Sequence, residues 1–444
     1  MLDLDSLDLI DKDITNNLVK VFKSKVYINL LSDLKRSLYQ HKSVFLMGIN
    51  DFGRLAIQVE ASFRKFWLGL INIIPERMNE FLANYNYVNS MPIGGDLTII
   101  NTEIDFKDLY MIGNRQVEKE IEDGDICIVY GNDGTSRAIN QAAITASKRG
   151  ASVYYLYNIP KDNLANIDIA KGIISNKNII KVCLATEDTK SHLLKELIFT
   201  YSAFEIVNSE WLKENLIDNE YQVISNKGYN ALSINDYAKC FDLITKSIQK
   251  EKVITSLNKF KAVIEASNIY LSHNYLVDLL SVLVDNGVGK CYPPFKKKME
   301  NGLDPKQLIF DPIYPTTVAW QHIFRRTVKG LDESKNTYKL LGLNNSKISN
   351  YHSSELYEFM IGNEDNDSRY KYNLVFIDIN ENYEDEELLY LNKQANKYLS
   401  SLVVRIGNVS RNKLFNNELI IPIKLPYTVL DLFSHLIVRI LFSE

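Results

Sequence analysis

A short apolar strand, a tight turn and a long helix recur along this chain, and that repeat limits the possible folds more than any other feature. Residues 43–48 read SVFLMG, a continuous apolar run closed by glycine. A run this short, apolar at every position, fits a strand buried on both faces of a parallel sheet. The segment FGRLAIQVEASFRKFWLGL (52–70) follows with helical spacing. The unit returns as DICIVYG (125–131), the turn Asn132-Asp133-Gly134-Thr135-Ser136, and RAINQAAITASKRG (137–150), which ends in Arg and Gly as helices do. ASVYYLYN (151–158) and IIKVCLAT (179–186) are the next strands. Strands alternating with helices predict a doubly wound, flavodoxin-like α/β sheet, with ligands at the carboxyl ends of its strands.

The pattern stops and then restarts. Residues 13–40 read as helix, with Val21, Val26, Ile28, Leu30, Leu31, Leu34 and Leu38 at helical spacing, and 188–260 are helix-rich without a strand. Strands are expected again at 268–272, 308–312, 373–379, 401–407 and 418–423, with a helix over 274–286 and a last one from about Thr428. A chain of 444 residues is too long for one ordinary core. The expected division is N-terminal helices over 1–40, a first α/β domain with its closing helices over 41–250, and a second over 251–444.

Charge and cysteine usage remove several function classes. The net charge is −4 and no basic stripe occurs, which argues against a nucleic-acid partner. The four cysteines, Cys127, Cys183, Cys240 and Cys291, are far apart, with no Cys/His pair at ligand spacing. They read as buried free thiols in a reducing compartment, with no metal site and no cofactor. The first residues are acidic and lack the basic start of a signal peptide. The longest apolar run, 66–75, is too short to span a bilayer. A cytoplasmic protein is expected.

Four stretches carry a resemblance to known proteins. They are Gly48-Ile49-Asn50-Asp51-Phe52-Gly53-Arg54-Leu55 with Phe66-Trp67; Ile93-Gly94-Gly95-Asp96; Gly124-Asp125 through Arg149-Gly150-Ala151; and, further on, Pro315–Trp320 through Arg325-Arg326, Val403–Gly407 and Asp431–Leu436. Together they resemble the tandem sugar-isomerase (SIS) domain family that includes glucokinase regulatory protein and N-acetylmuramic acid 6-phosphate etherase. The resemblance implies two tandem SIS domains and a hexose phosphate or amino-sugar phosphate as ligand. It also implies a protein partner such as a sugar kinase.

The same resemblance places a ligand pocket at Asn50, Asp51, Gly53, Arg54, Thr102, Asn132, Gly134, Thr135 and Ser136. A sugar-phosphate pocket of this kind needs hydroxyls and free backbone N–H groups at helix N-termini, where the dipole also favours an anion. The family has Thr-Ser in the first turn. Here Asp51-Phe52 stand there, and Asp51 is expected to cap its own helix and fill the anion hole. In the second turn Asp133 replaces a serine, while Thr135 and Ser136 keep hydroxyls, so that turn reads as the better preserved. The family's general acid/base glutamate falls on Ile104 without gaps, and Glu103 is its neighbour and the one candidate catalytic residue. His322 and His435 read as packing residues, His273 at a strand end as a partly buried, hydrogen-bonded side chain with a proton-transfer or pocket-lining role as the alternative, and Arg325-Arg326 as a solvated helix end or an anion contact. A non-catalytic sugar-phosphate sensor or regulatory scaffold is therefore the expected function. An amino-sugar-phosphate lyase, etherase or isomerase is the alternative.

Overall fold

The structure is a computed structural model, and it describes residues 19–99, 107–184, 192–230, 232–248, 250–264, 269–272, 295–297, 316–340, 352–361, 373–379, 393, 400–409, 417–426, 429–430 and 433. Five strands form the first sheet: β1 (Val44–Gly48), β2 (Val88–Pro92), β3 (Ile126–Asn132), β4 (Ser152–Tyr157) and β5 (Ile179–Cys183). They are all parallel and lie in the order β2-β1-β3-β4-β5, the flavodoxin-like order. A second parallel sheet has the order β11-β10-β9-β6, from β6 (Ile269–Ser272), β9 (Asn373–Ile379), β10 (Ser400–Gly407) and β11 (Glu418–Pro422). A small antiparallel pair joins β7 (Phe295–Lys297) to β8 (Phe359–Ile361).

The longer helices are α1 (Lys25–Tyr39), α2 (Asp51–Ile73), α3 (Tyr110–Glu120), α4 (Arg137–Lys148), α5 (His192–Asn215), α6 (Ile234–Ile248) and α7 (Glu251–Ile264). Strand residues alternate between two cores, because successive strand side chains point to opposite faces. Val44, Leu46, Ile126, Ile128 and Tyr130 join α1, α2 and α5 on one face. Phe45, Met47, Cys127 and Val129 join α3 and α4 on the other. That two-sided burial explains why β1 is apolar at every position.

Several expectations need correction. The 13–40 segment is not one helix in its described part. Val19–Phe22 is separate, and α1 starts after Ser24, whose hydroxyl accepts the Tyr27 N–H at 3.2 Å. Strand β2 was not expected at all, since its sequence VNSMP is polar and ends in proline. It survives as an edge strand, where a residue without an N–H costs no ladder bond on its open side. Cys127 and Cys240 are buried as expected, but Cys183 is exposed. The strand at 308–312, the helix at 274–286, and Cys291, His273 and most of the final helix lie outside the described residues. Among the described residues no helix is long and apolar enough to cross a membrane.

The polar content of β2 has a use. Glu60 of α2 is fully buried and receives Arg64 Nε at 3.0 Å, the Ser90 hydroxyl of β2 at 2.6 Å, and Arg326 Nε at 2.8 Å. The Arg326 side chain is only 6% exposed, so it is not a solvated helix end. Its other nitrogens fork onto Asp96, Nη1 to Oδ2 at 2.6 Å and Nη2 to Oδ1 at 2.9 Å. Burial alone would raise the Glu60 carboxyl. Arg326, Arg64 and Lys329, with the Ser90 bond, outweigh it and hold the pKa at about 2. A depressed carboxyl stabilises the fold above its unfolded value of 4.5, and that contribution is lost as pH falls toward 2. Arg326→Met leaves two buried carboxylates without their shared cation. We expect a loss of about 3–5 kcal/mol at pH 7 in denaturant unfolding, shrinking below about pH 4 as Glu60 protonates. A loss that does not change with pH would rule out the ionic account.

Candidate functional site

The carboxyl ends of β1, β2, β3 and β4 share one edge of the first sheet. Gly48 pairs with Pro92 across β1 and β2, and Met47 with Val129 across β1 and β3. The two strand-to-helix turns expected to line a pocket therefore open on the same side.

In the first turn the helix cap is Asn50, at φ 51°, and its side chain makes no capping bond. Asp51 is already the first helical residue, not the cap expected from the sequence. Its carboxylate is half exposed and lies 3.3 Å from Arg54 Nη1. Arg54 is buried, and its Nε points at the Thr98 carbonyl at 3.4 Å. Burial lowers the Arg54 pKa, and Asp51 opposes that shift. The Phe52 N–H goes to Ile49 O at 3.1 Å and the Arg54 N–H to Asn50 O at 3.1 Å, whereas the Gly53 N–H meets no acceptor among the described residues. Among the described residues that donor, near the positive end of a helix, therefore has no acceptor, and the buried Arg54 follows it in the chain.

The second turn reverses the sequence expectation. Asp133 Oδ1 accepts both the Thr135 N–H at 2.9 Å and the Thr135 hydroxyl at 2.7 Å. Ser136 is the cap of α4 and accepts the Ile139 N–H at 3.3 Å, and its own hydroxyl reaches Lys107 O at 3.5 Å. The Ala138 N–H is taken by Lys107 O at 3.0 Å. Gly134, at φ 75°, faces Leu164 so closely that a Cβ there would sit 2.4 Å from a Leu164 methyl. Its carbonyl accepts from Asn140 Nδ2 at 2.8 Å. Thr135, Ser136 and Gly134 therefore serve the turn itself, and two donors at the start of α4, the Ala138 and Ile139 N–H groups, are taken by Lys107 O and Ser136 Oγ. Asn132 holds φ 49° and gives its carbonyl to the Asn158 N–H at 2.8 Å. Thr102, Glu103 and Ile104 lie outside the described residues.

A carboxylate that the sequence reading missed stands beside this turn. Glu196, the fifth residue of α5, is fully buried, and its Oε1 accepts from Asn158 Nδ2 at the end of β4. Among the described residues Glu196 Oε2 and Asn158 Oδ1 have no hydrogen-bond partner. Burial pushes the Glu196 carboxyl well above the carboxylate range, with the Asn158 bond opposing the shift. The signal was present in HLLKELIFTYSAF, where an acid at 196 and a threonine at 200 stand one helical turn apart in an otherwise apolar stretch. Thr200 is buried and accepts the Tyr130 hydroxyl at 3.1 Å, which marks that face as inward. Among the described residues no group of three His, Cys, Asp or Glu side chains is placed to hold a metal ion.

No protein-family model matches the sequence, and no curated protein matches it. Solved structures do resemble it. The C-terminal domain of glucosamine-fructose-6-phosphate aminotransferase from Francisella tularensis covers 99% of this chain and 94% of its own, at a TM-score of 0.52 and 9% identity. Tagatose-6-phosphate ketose/aldose isomerase from Escherichia coli covers 100% and 91%, at a TM-score of 0.44 and 10% identity. The first likeness is one of fold, and the second is looser. Parallel sheets, flavodoxin-like strand order and that end-to-end likeness define an α/β protein of the tandem SIS fold.

The raised Glu196 carboxyl has a sign that can be tested. A group whose pKa is raised on folding stabilises the fold below its unfolded value of 4.5, and the contribution is lost as pH climbs through the folded value. Glu196→Gln removes the titrating proton and offers the Asn158 amide oxygen a donor that does not depend on pH. We expect the variant to exceed wild type by about 1 kcal/mol at pH 8, or about 2–4 °C in melting temperature. At pH 4.5 the gain should shrink. A difference that stays constant with pH would show that Glu196 does not titrate in the fold.

Proposed function

We propose that this chain binds a sugar phosphate at the carboxyl edge of its first sheet and acts there as a non-catalytic sensor or regulatory scaffold. The observation that carries the reading is the contrast between the two turns. Among the described residues the Gly53 N–H of the α2 turn has no acceptor and lies next to buried Arg54, whereas in the α4 turn Asp133, Ser136 and Lys107 take the Thr135, Ile139 and Ala138 N–H groups. The anion belongs at the first turn, among Asn50, Gly53 and Arg54, with Asn132 of the second turn at the far rim. Asp51 weakens that site, because its carboxylate sits beside Arg54 and repels a second anion. The resemblance to the family of glucokinase regulatory protein makes a sugar kinase the partner class to try.

A second reading, an amino-sugar-phosphate isomerase or lyase, draws on Glu196. A buried carboxyl whose ionisation is disfavoured by burial is the kind of group a general acid is built from. Against it stands its complete burial, with no exposed surface in the ligand-free chain. Ile104, at the position of the family's acid/base glutamate, counts in the same direction.

The experiment is a thermal-shift series with glucose, fructose, glucosamine and N-acetylmuramic acid 6-phosphates. A ligand at 100 times its dissociation constant stabilises the folded state by about 2.7 kcal/mol. Asp51→Ser, which removes the competing carboxylate, should tighten the best binder about tenfold, since an exposed like charge in such a cleft is worth about 1 kcal/mol or more. No sugar interconversion and no lactate release are expected. Turnover that vanishes in Glu196→Gln or Glu103→Gln would move the assignment to the second reading, and binding unaffected by Asp51→Ser would remove the first turn as the anion site.

A further inference from the structure

Residues 325–332 cross from the helix Thr316–Phe324 to the helix Lys335–Leu340 without regular structure of their own. Both ends sit in the left-handed region, Arg325 at φ 57° and Asp332 at φ 47°, a conformation that side chains disfavour. The helix before the segment is anchored by buried Trp320 and Phe324. At the other end the Asp332 carboxylate receives the Ser353 N–H at 2.7 Å and the Ser353 hydroxyl at 3.0 Å. Between these anchors the segment lies along the turn after β2. The Asp96 N–H donates to Lys329 O at 2.9 Å, and the Lys329 N–H returns to Asp96 Oδ2 at 2.6 Å. Gly95, at φ 84°, comes so close that a Cβ would lie 3.0 Å from the Gly330 Cα. Arg326 then drives its guanidinium into the protein between Asp96 and Glu60.

The clamped turn continues into the candidate site. The Thr98 N–H and hydroxyl both bond the Gly95 carbonyl, at 3.2 and 2.9 Å, so 95–98 is one tight unit. Thr98 in turn offers its carbonyl to Arg54 Nε at 3.4 Å, and Arg54 meets Asp51 in the open turn of α2. Glu60, the other carboxylate under Arg326, lies on the same helix two turns further along. The strap thus touches the start of α2 by two routes, through the 95–98 unit and through the helix itself.

We propose that residues 325–332 form a strap and that Arg326 is a positioning residue for the candidate site, holding turn 95–98 and the first turn of α2 in register. Seating the strap orders the Gly53 N–H and the Arg54 guanidinium, and releasing it loosens both. By linkage, an anion that binds the ordered turn would also favour the seated strap. The segment comes from beyond the first sheet in sequence, so the remainder of the chain gains a means of setting that site's geometry. The inference concerns the ligand-free protein and stands whether or not a sugar phosphate binds.

The test is hydrogen exchange by mass spectrometry on the full chain without ligand, comparing wild type with Arg326→Met and Arg326→Lys. The lysine variant keeps a buried cation and loses only the fork, so it covers the case in which the methionine variant fails to fold. The expected result is exchange roughly tenfold faster at 50–56 as well as at 94–99, with 131–140 unchanged, because opening of the clamped unit is local. Faster exchange confined to 94–99 and 325–333 would overturn the proposal, since it would leave the strap with no hold on α2. Equal acceleration at 131–140 would overturn it too, by showing general loosening instead of positioning.

Discussion

The guanidinium of Arg326, held between Glu60 and Asp96, is the interaction on which the arrangement of this chain most depends. Three buried ionic groups cost several kcal/mol each to take out of water, and only close, well-aligned contacts repay that cost. The geometry meets the requirement: a two-nitrogen fork onto Asp96, Nε onto Glu60, and Ser90 and Arg64 on the remaining acceptors. Such a network adds little net stability over a packed apolar contact. What it adds is position, because a cation that must face two fixed carboxylates cannot slide. It also explains why an edge strand as polar as β2 exists, since Ser90 supplies a hydroxyl to the network and Asn89 contacts Arg64.

The fold was legible where local chemistry decides it. Strands β1, β3 and β4 are continuous apolar runs buried between two helix layers, and glycine or a short polar turn closes β1 and β3. The polar edge strand was not legible, because its pattern is set by long-range ionic partners that no window of sequence contains. Arg326 was misread for the same reason. A basic residue after a helix looks like a solvated end, and only the tertiary placement of Glu60 and Asp96, more than 200 residues away, makes it internal.

The site was half legible. The two turns were found, and their placement on one edge follows from a parallel sheet. Which turn stays open was not, because that depends on where hydrogen-bond donors go. Asp133 could be seen as a lost hydroxyl, but its capture of Thr135 and the reach of Lys107 O to Ala138 are contacts of conformation. Asp51 shows the opposite error. One residue of difference in where α2 starts moves it from cap to first helical residue, and the pairing with Arg54 follows.

Donors at helix starts are a finite resource, and their spending distinguishes a binding turn from a structural one. Each helix begins with four N–H groups that no residue of its own ladder accepts. In α4 the chain supplies acceptors for the second and third of them, from Lys107 O and Ser136 Oγ, and a leucine covers the glycine where a ligand would approach. A phosphate there would have to displace bonds already made, in a turn that already carries a carboxylate. In α2 the cap side chain makes no such bond, and a buried arginine follows an N–H that has no acceptor among the described residues. The two repeats of one supersecondary unit thus diverge in chemistry while keeping the same backbone plan. One is tied by its own side chains and by Lys107 O, and the other sets buried Arg54 and half-exposed Asp51 at the start of a helix.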